Sequence, residues 1–216
     1  MLIPYGKHFI DTKDIKSVSR ALNSPFITQG PLINKFERAV CRLLKVKYAV
    51  AVNSCTSGLQ IAIQALNIKN ANLITSPVSF VSTSNSILFN SLKPVFVDVD
   101  PESLNLDLNK VKFQLKKNKR IKGIVPVHLG GVAAESKELF NLAKKNKLVV
   151  IEDAAHSFGS IYEDGSKVGS CKYSDMTIFS FHPVKTITTG EGGMITTNSK
   201  KFYEKLLVLR NHGIQK

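Results

Sequence analysis

The feature that most constrains this chain is an alternation of two hydrophobic patterns. Short runs with the look of fully buried strands occur at Tyr48–Val52, Leu73–Thr75, Val95–Val99, Ile121–Val127, Leu148–Glu152, Thr177–Phe181 and Met194–Thr197. Between most of them lie segments with helical spacing: Leu59, Ile63 and Leu66; Val81, Asn85 and Leu88, a weaker example; and Leu139, Leu142 and Ala143. Strands apolar on both faces and joined by helices predict an α/β fold, a mostly parallel sheet between helical layers. Ligands of such sheets sit at the C-terminal ends of the strands. The loops just after the strands are therefore where function is expected.

Two helices are expected before the first strand. Ile15, Val18 and Leu22 share one face, with Thr12 as cap and Asp14 in the first turn. The second follows Pro31, with Phe36, Val40 and Leu43–Leu44 on its inner side. A last helical stretch covers Lys200–Leu209. No internal repeat, low-complexity tract or linker interrupts the chain, and 216 residues suffice for one sizeable core. With 43% hydrophobic and 21% charged residues, wholesale disorder and collagen-like repeats are excluded. The longest aliphatic runs, such as Leu148–Ile151, are far too short to span a membrane. The first seven residues hold no apolar stretch of secretory-signal length, so a cytoplasmic chain is expected. Cys41, Cys55 and Cys171 have neither metal-ligand nor redox spacing, and no metal site is expected.

The net charge of +14 raises nucleic acid as a partner. Yet only five of the 30 basic residues are arginine, the usual reader of phosphates and bases. The densest cluster, Lys110–Lys122, holds seven basic residues in thirteen. Leu104, Leu108, Val111 and Leu115 put an apolar face through its front, and Phe113 is its only aromatic residue. It reads as the solvent face of a packed helix rather than a nucleic-acid surface.

Three post-strand loops are rich in chemistry. Asn53-Ser-Cys-Thr-Ser-Gly58 opens a helix beginning near Leu59, where N–H groups, the helix dipole and the Thr56 and Ser57 hydroxyls would meet one phosphate. Ser and Thr serve equally as plain N-caps there. Ile151-Glu-Asp-Ala-Ala-His156 ends an aliphatic strand with adjacent acids that point to opposite sides. One of them faces the ligand side, where a desolvated carboxylate needs a cationic partner, although Asp153 also suits a helix cap. Phe179-Ser-Phe-His-Pro-Val-Lys185 leads into a hydroxyl- and glycine-rich stretch, with no carboxylate between Asp175 and Glu191. A desolvated Lys185 would be a nucleophile for aldehydes; an ordinary loop lysine is the alternative. A phosphate site, a carboxylate and a nucleophilic lysine at neighbouring strand ends together match pyridoxal 5'-phosphate, whose aldehyde takes the lysine and whose pyridine nitrogen takes the acid. No phosphate-binding loop ending in Gly-Lys-Ser/Thr, dinucleotide fingerprint or His-Glu-x-x-His motif competes.

The sequence resembles the DegT/StrS family of pyridoxal-phosphate-dependent nucleotide-sugar aminotransferases. The resemblance rests on Phe26-Ile-Thr-Gln-Gly-Pro31 with Phe36-Glu37, on Asn53–Gly58, Val97-Asp-Val-Asp100 and Val125-Pro-Val-His128, and on Glu152–His156 and Phe179–Gly193. It implies the large domain of a type I, aspartate-aminotransferase-like fold. Residues 1–216 would be an N-terminal arm plus the large cofactor-binding domain, the family's smaller C-terminal domain lying outside the chain. Residues 182–193 look most like those of the enzymes that aminate C4 of a UDP-linked 4-keto-6-deoxy-N-acetylhexosamine in pseudaminic-acid biosynthesis. The resemblance further implies that Lys185 is catalytic, binding the cofactor covalently and moving a proton, while Asp153 pairs with the pyridinium nitrogen. It assigns Thr56, Ser57 and Ser180 to the phosphate, Phe80 to the ring face and His156 to the neighbourhood of the phenolic oxygen. His182, Thr28 and Arg210 become candidates for substrate contact, although His182 in its Phe-His-Pro turn also suits a structural role. Implied partners are a nucleotide-linked keto sugar, an amino donor such as glutamate, and a second copy of the chain in a homodimer. A chain that binds cofactor without turnover, or one acting on a different nucleotide-linked keto sugar, are the alternatives.

Overall fold

The computed structural model describes residues 6–133 and 136–214. In chain order these form α1 (Thr12–Leu22), α2 (Pro31–Leu44), β1 (Tyr48–Val52), α3 (Cys55–Ala65), β2 (Asn72–Thr75), α4 (Val81–Phe89), β3 (Lys93–Phe96) and α5 (Leu108–Lys117). They continue through β4 (Ile121–Val125), a 3-10 turn at Leu129–Gly131, α6 (Ser136–Lys145), β5 (Val149–Asp153), β6 (Met176–Ser180), β7 (Gly193–Thr197) and α7 (Lys200–Arg210). The strands make one seven-stranded sheet in the order β1-β7-β6-β5-β4-β2-β3. All pairs are parallel except those of β7, which runs antiparallel to both β1 and β6. The expected mostly parallel sheet is present, with one reversed strand.

Alternation along the strands sorts the core into two faces. Val50, Leu73, Val125, Ile151, Ile178 and Ile195 pack with Leu59, Ala62 and Ile63 of α3, Ile87 of α4 and Leu206 of α7. On the other face, Ala49, Phe179 and Met194 join Val40 and Leu44 of α2, while Ile74, Ile124 and Val150 join Val111 of α5 and Leu139 and Ala143 of α6. The seven basic residues of Lys110–Lys122 all lie exposed, as expected for the outer side of α5 and its flanking turn.

Several expected details are corrected. Asp11, not Thr12, caps α1, and its carboxylate accepts from the amides of Lys13 and Asp14 while Asp14 reaches back to the Asp11 amide. Ile15, Val18 and Leu22 face solvent on that helix rather than a core. Leu43 is likewise exposed, and α2 turns Val40, Leu44 and Glu37 inward. Leu104 precedes α5 and lies exposed, leaving Leu106 and Val111 as the buried apolar contacts there. In α4 the buried side is Ser82, Thr83, Ser86 and Ile87, whereas Val81 and Leu88 are exposed. The third strand pairs over Lys93–Phe96, two residues before the expected start. The fourth ends at Val125, with Val127 returning as an isolated parallel bridge to Asp153.

Candidate functional site

The helix expected near Leu59 begins at Cys55, because Ser54 is an N-cap: its hydroxyl oxygen accepts from the Ser57 amide at 3.1 Å. The hydroxyls of Ser54 and Ser57 lie 2.9 Å apart. The amides of Cys55 and Thr56 are in the first turn and have no intrahelical carbonyl to meet, so they remain available to an anion. This terminus is held against β7 by close backbone approach. A Cβ on Gly193 would lie 2.7 Å from the carbonyl carbon of Ser54 and 2.8 Å from the Cys55 nitrogen. Gly193 pairs in register with Ser180 across β6–β7, which sets the buried Ser180 beside the α3 terminus.

The two adjacent acids of β5 do point to opposite faces. Asp153, 4% exposed, continues the face of Ile151 toward α3 and α4. Its Oδ2 accepts from the Thr83 hydroxyl at 2.6 Å and its Oδ1 from the Ala155 amide at 3.2 Å. Among the described residues no ion pair neutralises it. Glu152, 1% exposed, enters the other face, where Tyr162 donates at 2.8 Å and Thr177 at 2.6 Å. His128 Nε2 lies 3.2 Å from its Oε1, in ion-pair range but off the line of a good hydrogen bond. Burial opposes ionisation of Glu152, yet His128 and the two hydroxyls hold its carboxyl below the ordinary value. Burial and the same carboxylate push the Tyr162 phenol far up, so it stays a donor.

Lys185 lies in the connection between β6 and β7. That connection is closed by the Phe181 amide on the Gly192 carbonyl at 2.9 Å, and by the Thr189 amide on the Phe181 carbonyl at 3.0 Å. The Lys185 amide donates to the His182 carbonyl at 2.9 Å, a tight turn that fixes the lysine's base. Its side chain is half-buried, and among the described residues Nζ makes no hydrogen bond or ion pair. Lys185 and Asp153 act with opposite sign on two shared neighbours. Burial and then Asp153 raise the Cys55 thiol well above its ordinary value, with Lys185 opposing. Burial and then Lys185 lower the His156 imidazole, with Asp153 opposing. His156 Nδ1 accepts from the Gly130 amide at 3.2 Å, so the neutral ring carries its proton on Nε2.

The structure thus gathers Thr56, Ser57, Ser180, Asp153, His156 and Lys185 at the C-terminal edge of neighbouring strands. Phe80 joins through α4: it occupies the N-cap, 73% exposed, and the Thr83 hydroxyl that reaches Asp153 lies 3.0 Å from its carbonyl. His182 stands half-exposed, with Nε2 3.7 Å from Glu191 across the lysine's loop. Arg210 is engaged elsewhere, its Nη1 2.6 Å from Glu37 Oε1, an oxygen that also accepts from the Ala51 amide at 2.9 Å. Thr28 lies exposed between α1 and α2 and has no hydrogen bond to the cluster among the described residues. Thr83 escaped the sequence reading. Its signal was there, in the Ser-Thr-Ser-Asn-Ser stretch inside a helix, where small hydroxyl residues on an inner face imply a buried polar target.

The residues fit pyridoxal phosphate on their own chemistry. A buried carboxylate with no counter-ion among the described residues suits a protonated ring nitrogen, amides at a helix start suit a phosphate, and a half-buried amine with no partner among the described residues suits an aldehyde.

Comparison with known proteins agrees. The chain is 42% identical over 216 residues to the UDP-4-amino-4,6-dideoxy-N-acetyl-beta-L-altrosamine transaminase of Campylobacter jejuni (strain 81-176), covering all of this chain and 56% of that protein. It is 41% identical over 215 residues to an uncharacterised protein of Methanocaldococcus jannaschii, covering 99% of this chain and 54% of that one. The chain therefore spans about half the length of the curated relatives it matches. The solved structure of Helicobacter pylori PseC, an aminotransferase involved in the biosynthesis of pseudoaminic acid, superposes with a TM-score of 0.94 at 35% identity, over 100% of this chain and 57% of that one. The putative sugar aminotransferase Spr1654 of Streptococcus pneumoniae in its PLP-form gives a TM-score of 0.89 at 26% identity, over 96% and 57%. Residues 8–216 match the profile of the DegT/DnrJ/EryC1/StrS aminotransferase family, and to that family the chain belongs.

Proposed function

We propose that this chain carries the cofactor half of a pyridoxal-phosphate-dependent aminotransferase acting on a nucleotide-linked keto sugar. The observation that carries the reading is the buried Asp153 carboxylate at the end of β5, at the same sheet edge as Lys185 in the loop after β6, neither of them in an ion pair among the described residues. When bound, pyridoxal phosphate supplies a protonated ring that draws electrons from the carbon bearing the donor's amino group.

The chain's residues do the rest. The Asp153 carboxylate, oriented by Thr83 and the Ala155 amide, holds the ring nitrogen in its protonated state. The Cys55 and Thr56 amides, with the hydroxyls of Thr56, Ser57 and Ser180, would hold the phosphate. Phe80, whose ring is exposed beside Thr83 and Asp153, would be the aromatic face available to cover the cofactor ring. Lys185 Nζ would hold the cofactor's aldehyde and, once released from it, would serve as the base and acid that moves the proton in amino transfer. His156, neutral with a proton on Nε2, is a donor for the cofactor's phenolic oxygen. The Campylobacter relative's name favours a UDP-linked 4-keto-6-deoxy-N-acetylhexosamine aminated at C4; glutamate as amino donor is part of the proposal. A homodimer and a cytoplasmic setting belong to the same proposal.

The test is an absorbance scan of the 216-residue protein with added pyridoxal phosphate, followed by borohydride reduction and peptide mapping. A visible band that reduction bleaches, with the label on Lys185, supports the site. Glutamate-dependent loss of that band with release of 2-oxoglutarate supports amino transfer. A folded protein that gives no band, or labels another lysine, overturns the proposal for this chain.

A further inference from the structure

We propose that the buried Glu152–His128 pair is a positioning device for His156, acting through the 3-10 turn at Leu129–Gly131. It extends the proposed cofactor site by two residues on the far face of the sheet, and rests on that reading for its purpose, not for its geometry.

His128 is pinned at two points. Its backbone amide donates to the Asp153 carbonyl at 3.0 Å, continuing the bridge between Val127 and Asp153. Its side chain, 2% exposed, meets Glu152, which Tyr162 and Thr177 hold in place from the other side. The turn springs directly from this anchored residue. The Gly131 amide donates to the His128 carbonyl at 3.1 Å, and Gly130 takes φ +61°, a conformation that suits glycine. That conformation leaves the Gly130 amide free to donate to His156 Nδ1 at 3.2 Å. Gly131 packs against the same residue, since a Cβ there would lie 3.1 Å from the His156 carbonyl oxygen.

A chain of contacts therefore runs from the buried carboxylate, through His128 and one turn, to the single donor that fixes which nitrogen of His156 carries its proton. Glu152 and Asp153 are consecutive, so one strand end supports the site from both faces. On the near face Asp153 and Lys185 are the charges that act on His156. On the far face Glu152 is the carboxylate that acts through His128.

The experiment reads the Gly130–His156 hydrogen bond in the cofactor-free chain, so its outcome is independent of cofactor binding. Uniformly 15N-labelled protein is examined for the through-hydrogen-bond coupling between the Gly130 amide nitrogen and His156 Nδ1, and for exchange of the Gly130 amide. In His128→Leu the coupling is expected to vanish and Gly130 exchange to rise about tenfold, while the Ser157 amide, which donates to the Ala154 carbonyl at 2.9 Å, stays as protected as before. His128→Gln, which restores a nitrogen donor toward Glu152, is expected to retain the coupling. A merely structural role would raise exchange at Gly130 and Ser157 together, and that result overturns the proposal. So does a folded His128→Leu protein that keeps the coupling. If His128→Leu does not fold, Glu152→Gln is read the same way: loss of the coupling supports the device, and its retention overturns it.

Discussion

Gly193 and Ser54 lie so close that no side chain fits between them: a Cβ on the glycine would stand 2.7 Å from the serine's carbonyl carbon. Backbone, not a flexible side chain, is what it would meet. This contact joins the strand that ends the Lys185 loop to the residue that caps α3. Replacing Gly193 with Ala should shift the α3 terminus and weaken the proposed phosphate subsite. We expect a loss of about 1–3 kcal/mol in urea unfolding, the usual range for overpacking, together with weaker cofactor binding. Unaltered stability and affinity would mean that the strand and helix yield at no cost.

Lys185→Ala should abolish the borohydride-reducible band altogether and leave the fold intact, since the lysine's side chain makes no hydrogen bond or ion pair among the described residues. Circular dichroism and peptide mapping check the two halves of that statement. A reducible band persisting in the variant would move the attachment to another lysine.

Asp153→Asn removes a buried charge that the cofactor's ring nitrogen would otherwise meet. Breaking such a pair costs about 3 kcal/mol, or roughly a hundredfold in cofactor affinity. Thr83→Val, which removes only the 2.6 Å hydroxyl donor, should weaken binding by less, near tenfold for about 1.4 kcal/mol. Equilibrium titration with pyridoxal phosphate ranks the two; the reverse order would contradict the assigned roles.

The depressed carboxyl of Glu152 makes a prediction about acid stability. Because its folded value lies below the unfolded one, its contribution is fully present above the ordinary carboxylate range and is lost as pH falls through the folded value. Urea midpoints measured downward from pH 7 should drop on the acid side, and Glu152→Gln should flatten that drop while lowering the plateau at neutral pH. An unchanged acid limb in the variant would assign the loss to other groups.

How much could be read without the structure depends on what carries each signal. The strands were legible because strands buried on both faces need continuous apolar runs, as at Leu148–Ile151. The loops at Thr56, Asp153 and Lys185 were legible because chemistry-bearing residues follow such runs directly. Helix faces were harder. In α4 the buried side is hydroxyl-rich because it meets Asp153 as well as the apolar core, so an apolar-periodicity rule selected Val81 and Leu88, which lie outside. On α1 the amphipathic pattern is plain, but Ile15, Val18 and Leu22 meet no core among the described residues. The role of His128 was invisible in sequence, because it depends on Tyr162 and Thr177 arriving from distant segments to hold Glu152.

The place of β7 between β1 and β6 also has a consequence for how the chain assembles. β1, first among the described strands in chain order, has only β7 as a sheet neighbour, and β7 comes last. During synthesis β1 thus waits with an unpaired edge until residues 193–197 have emerged from the ribosome. Their insertion between β1 and β6 completes the sheet and seats Gly193 against Ser54 in one event. The start of α3 and the Lys185 loop come together only through this strand, so a site that needs both is complete only after β7 is in place.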